Sequence, residues 1–177
     1  EDGFLDYPKT RQFNLMNRWN HEAGKYVAQY GFKYIKEDRE GGQDLSHHSF
    51  DDPYRITLNT NRGEFYTKQA YVFRADELAE SVALIASGSV HDQKSLYDKT
   101  VYDVNQKNLY MSLLYEKDFS AMHNLSTGLS LNYDGFDEML DTTPSDREET
   151  VTGAYAQYTF NFNNKFIALG GIRADYS

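Results

Sequence analysis

The sequence predicts an all-β fold, an antiparallel transmembrane β-barrel, and three observations carry that expectation. The chain of 177 residues holds 15 Tyr and 11 Phe against only 3 Pro, a composition that favours strands over helices. Eight segments of roughly ten residues alternate apolar with polar or small side chains, the period of a strand between two environments. The links between them alternate short and long across all seven connections. Nothing forces that rhythm on a soluble sandwich, whereas an outer-membrane barrel has tight turns on one side and long loops on the other.

The strands are expected at about 12–21, 25–37, 62–73, 81–93, 106–117, 123–134, 149–161 and 165–177. The first runs from Phe13 to Trp19, and the second places Tyr26, Ala28, Tyr30, Phe32 and Tyr34 on one face. In the third, Phe65, Tyr71 and Phe73 fall together. The fourth sets Val82, Leu84, Ala86, Gly88 and Val90 against Ser87, Ser89, His91 and Gln93. The fifth alternates Leu109, Met111, Leu113 and Tyr115 with Asn108, Tyr110, Ser112 and Glu116. The sixth alternates Leu125, Leu129, Leu131 and Tyr133 with Ser126, Ser130, Asn132 and Asp134. Ala154, Ala156, Tyr158 and Phe160 define the seventh, and Phe166, Ala168, Ile172 and Tyr176 the last.

Short links are expected around Glu22–Gly24 and at 74–80, 118–123 and 161–164; long ones at 37–61, 92–106 and 134–149. Trp19, Phe73, Tyr115, Phe160 and Phe166 fall beside the short links, and Tyr34 and Tyr133 near the long ones. These are the positions of two aromatic girdles. On the polar faces, Glu64 with Lys68, Arg173 with Asp175, and Glu116 suit a water-filled or plugged lumen. Asn17, Thr67 and Gln69 break the pattern on the lipid side.

Composition excludes several classes. The net charge is −9, and a nucleic-acid binder would show a basic face. Without cysteine there is no disulfide scaffold, Cys-rich zinc site or thiol nucleophile. No apolar run reaches the length of a membrane-spanning helix, and the residues after Glu1 form neither a basic-then-apolar leader nor a lipidation signal. The three long links hold sixteen acidic and five basic residues, so the acidity gathers on one side of the barrel.

No enzyme is expected. His47-His48, near Asp51-Asp52, reads as solvated side chains in a polar loop. Gly128-Leu-Ser-Leu131 lacks the strand-to-helix elbow of a serine hydrolase, and Gly41-Gly42 and Gly170-Gly171 precede no helix that would make a phosphate loop. Asp134, Asp137, Glu138 and Asp141 form an oxygen-rich group suited to calcium; a solvated acidic surface is the other reading. Tyr54, Tyr97, Tyr102 and Phe136 are placed to stack on a flat ligand or to pack locally.

The wording of the chain carries a resemblance. The segment from Asp2 to Trp19 resembles the barrel of TonB-dependent outer-membrane receptors from Bacteroidetes, of the vitamin B12 and siderophore type. Tyr71-Val-Phe73, Gln106-Lys-Asn-Leu-Tyr110, Thr127-Gly-Leu-Ser130, Arg147-Glu-Glu149 with Gly153-Ala-Tyr155, and Gly171-Ile-Arg-Ala-Asp-Tyr176 are similar to the same family, in order. The resemblance implies a barrel of about 22 strands closed by a plug domain, of which this chain is a segment without plug or TonB box. It further implies import of a scarce small-molecule nutrient, cobalamin, siderophore or similar, driven by the TonB complex from the outer membrane of a bacterial cell. Partners in that setting are outer-membrane lipid and lipopolysaccharide, the receptor's own plug and a surface lipoprotein. Glu1-Asp2-Gly3 with Asp6 looks like the tail of a calcium loop of the family. A passive porin or small barrel adhesin is the alternative function, and closure of a small barrel by the eight strands is the alternative architecture.

Overall fold

The structure, a computed structural model, describes residues 3–43, 52–75, 78–163 and 165–177. They form eight strands: β1 (Lys9–Ala23), β2 (Tyr26–Gly42), β3 (Arg55–Arg74), β4 (Glu80–Tyr97), β5 (Thr100–Ser120), β6 (His123–Leu140), β7 (Thr143–Phe162) and β8 (Phe166–Tyr176). Each pairs antiparallel with the next in one open sheet, with β1 and β8 as its edges. Among the described residues no helix is long and apolar enough to cross a membrane. The all-β antiparallel expectation is met.

Strand length is where sequence and structure part. The links 92–106 and 134–149, expected as long loops, are strand almost throughout. Asp98-Lys99 alone joins β4 to β5, and Asp141-Thr142 alone joins β6 to β7. In the first link, Val101, Tyr102 and Val104 supply the β-branched and aromatic residues a strand prefers. Asp98 and Asp141 take φ of 60° and 52°, a left-handed conformation that Asp tolerates in a tight turn. The third long link is shortened from both ends by Gly42 and Arg55. Residues 44–51, with His47, His48 and Asp51, lie outside the described residues, as do Glu1 and Asp2.

The sheet has no core of its own. Among the described residues no large side chain is fully buried, and the buried apolar residues are Ala28 and Ala86. Leu129 is 59 % exposed at the middle of the sheet. A layered domain would cover such a face with a second layer. None is present.

The apolar face is instead a band. Runs of nine positions, 26–34 on β2, 82–90 on β4 and 125–133 on β6, carry it on alternate residues, close to the nine to eleven residues that span a bilayer. Beyond it on the same face come Lys36, Asp92, Lys107 and Asp137.

The band crosses the strands obliquely. Ala23 and Tyr26 close the β1–β2 turn, and the registers lead from Tyr26 through Tyr71, Val82, Tyr115, Thr127 and Ala156 to Ile172. Ile172 stands six positions short of Phe166, which closes the β7–β8 turn with Phe162. The far edge drifts the same way: Phe13 on β1 is level with Asp137 on β6, four positions beyond Tyr133. A step of one residue per strand, about 3.3 Å against about 4.8 Å between strands, tilts the strands by about 35° from the normal of the band. Strands of membrane barrels tilt by about 35–45°.

Candidate functional site

On the polar face, side chains repeatedly bond to neighbours two positions along the strand or across one pair. Glu64 accepts from Arg62 Nε at 2.5 Å and lies 3.9 Å from Lys33. The expected pairing of Glu64 with Lys68 is not made, because four positions along an extended strand separate the two by about 13 Å. Lys68 stands opposite Gln29 and Ile85, and Glu116 opposite Ser81 and Ser126.

Arg173 and Asp175 do meet, in a fork with bonds of 2.9 and 2.7 Å. The guanidinium reaches on to Ser130 Oγ at 3.3 Å, two strands away. Gly153 makes this possible, since a Cβ there would sit 2.2 Å from Asp175 Oδ1 and 2.8 Å from Ser130 Oγ. Glycine also lies under a ring directly across the pair at Gly31 beneath Tyr66 and Gly128 beneath Tyr155.

The strongest candidate for a ligand surface lies on this face in the hairpins beyond the band. The Tyr102 hydroxyl donates to Glu138 at 2.6 Å, which lifts the phenol above its usual pKa. Arg147 stacks on Phe136, its guanidinium carbon 4.5 Å from the ring centroid. Arg62, His91, Gln106, Phe136 and Arg147 make one continuous row across β3 to β7. Tyr97 falls on the same face, beside Ile56. Of the four expected aromatic residues the strands thus bring Tyr97, Tyr102 and Phe136 to one surface. Tyr54 packs on Phe4 instead, ring centroids 6.4 Å apart. Arg147 was missed because its segment reads as a loop; alternation carried through the Asp141-Thr142 turn would have placed it.

The expected calcium cluster does not assemble. Asp134 accepts from Asn108 at 2.8 Å and Asn132 at 2.6 Å. Asp137 points to the other face, 3.8 Å from Lys107; Glu138 holds Tyr102; Asp141 accepts the Val101 backbone N–H at 2.8 Å. On a strand, alternation divides these carboxylates between two faces. Asp6 is exposed, and Asp2 lies outside the described residues. No group of three metal-ligating side chains occurs among the described residues.

No family model, no curated protein and no solved structure matches the chain.

One further arrangement explains two sequence outliers. Thr67 and Gln69 sit on the apolar face, where Gln69 donates to Thr67 Oγ1 at 3.2 Å and accepts from Tyr26 at 2.9 Å. The Tyr30 hydroxyl lies 3.1 Å from that of Tyr26. The four polar ends bond to one another on a face that is otherwise apolar. Nothing in the structure explains Asn17.

Proposed function

We propose that the chain forms part of the wall of a bacterial outer-membrane β-barrel, a receptor that captures a scarce small molecule at its outer hairpins and imports it. The observation that carries the wall reading is the band: a bilayer-length apolar surface, oblique to the strands, on a sheet without a core. The opposite face, lined by ion pairs and amides, suits an aqueous or plugged lumen. The short turns then face the periplasm and the long hairpins the exterior, where strands of 17 to 21 residues exceed what the bilayer needs. Tyr97, Tyr102, Phe136 and Arg147 offer stacking and charge to a flat ligand. The larger closed barrel, the plug and the TonB-supplied energy rest on the family resemblance.

Single nitroxide labels test the wall directly, because the chain has no cysteine of its own. In the intact protein in lipid bilayers, a label at Leu129→Cys should collide with oxygen and be shielded from a water-soluble nickel chelate. Labels at Ser87→Cys and Val101→Cys should show the reverse. Nickel access at all three would end the membrane reading. Conductance in planar bilayers separates the two transport modes: a steadily open pore would favour a passive porin, and a closed wall with energised uptake the receptor.

A further inference from the structure

Gly63 is a glycine with nothing within 4 Å of the place its Cβ would occupy. It lies on the apolar face between Tyr34 and Val90, in the outermost row of the band. Here the sheet carries a shallow groove of about 420 Å³, lined by Phe65, Val90 and Leu109, with Lys107 in its outer row opposite Val90. The Phe65 ring occupies the space over Gly88, its nearest atom 2.5 Å from where a Cβ would stand. Water gains few partners against such walls, and an empty recess forfeits packing.

We infer that this groove holds one acyl chain of an anionic membrane lipid, its headgroup at Lys107; the inference rests on the membrane reading above. The chemistry of the two ends selects the occupant. The body is apolar and opens on the side proposed to meet hydrocarbon. The end coincides with the boundary where charges begin, so a chain lying in the groove places its headgroup among them. Lys107 is available to it: its contact with Asp137 is 3.8 Å long, with the side chains 57 % and 63 % exposed, a weak surface pair. Lys36, two positions beyond Tyr34 on the same face, does not line the groove. Asp92, two positions beyond Val90 on the same face, repels an anion, which leaves Lys107 as the cation that receives it.

The test uses the intact protein in nanodiscs of phosphatidylcholine and phosphatidylglycerol, with retained lipid counted by native mass spectrometry after release into detergent. Wild type should keep one lipid and prefer phosphatidylglycerol by roughly fivefold, the worth of one lysine near an anionic headgroup. Gly63→Leu, which fills open space, should lose the retained lipid. Lys107→Gln, at an exposed position, should keep a lipid but lose the preference. Retention by Gly63→Leu equal to wild type, a preference that survives Lys107→Gln, or no retained lipid in wild type would each overturn the inference. The label at Leu129 reads the membrane assignment separately: oxygen access there with no retained lipid sinks the groove alone, while nickel access sinks the wall and the groove together.

Discussion

The half of the sheet near the short turns and the half that forms the long hairpins are built from the same strands on different rules. In the turn half, Leu129 and Ser130, or Ala86 and Ser87, point to opposite faces and the two faces are chemically unlike. In the hairpin half, Asp137 and Glu138 point to opposite faces and the two are alike, both charged. A strand sorts its residues by face only where the two faces meet different surroundings. On the wall reading proposed above, the change of rule at Lys36, Asp92, Lys107 and Asp137 marks where one side of the sheet passes from hydrocarbon to water.

The largest expected effect breaks that contrast directly. Leu129→Arg, at the centre of the band, should cost about 2–4 kcal/mol in lipid vesicles. Ser87→Arg, at similar depth on the other face between Tyr66 and Tyr110, should cost less than about 1 kcal/mol. Val101→Arg, in the hairpin half, should cost no more than that. Denaturant titration of the vesicle-folded protein measures all three, and equal penalties would abolish the distinction.

Next in size is a clash on the polar face. Gly153→Val should displace the Arg173–Asp175 fork and cost about 1–3 kcal/mol, whereas Gly170→Ala, in open space, should be nearly silent. The same titration decides it; a silent Gly153→Val would show that the fork over Gly153 is not held in place.

The polar network on the apolar face should show coupling rather than size. Tyr26→Phe or Gln69→Leu alone should cost about 1 kcal/mol by stranding a partner, and the double variant should recover part of that loss. Strict additivity would mean that the hydroxyl and amide do not satisfy each other.

The smallest effect concerns acid. Glu80 accepts from the Tyr115 hydroxyl at 2.5 Å and lies 3.4 Å from Lys117. The hydroxyl first, and the ammonium after it, hold Glu80 below the usual carboxylate range. A depressed folded pKa gives stability that is present above the unfolded value and lost as pH falls through the folded one. Midpoints measured from neutral pH downward should decline below the ordinary carboxylate range, and Glu80→Gln should flatten that decline. An unchanged slope in the variant would remove the group from the account.

The turn half is legible through alternation. Tyr26 to Tyr34, Val82 to Val90 and Leu125 to Tyr133 declare their faces residue by residue, because the period of two is a local property of an extended chain. Acidic residues at 92–106 and 134–149 suggested loops for a local reason as well: solvated charges make no case for a buried face. The structure makes them strands because each pairs along its length with a neighbour already in register, and pairing is not local.

The sequence by itself determined the class of sheet and the face that is apolar. These follow from side-chain chemistry repeated at fixed spacing. Only the tertiary structure decided how far the strands run, which carboxylate meets which partner, and the one-residue step that tilts the band. Each depends on register between strands, and register is set by where residues distant in the chain come to lie side by side.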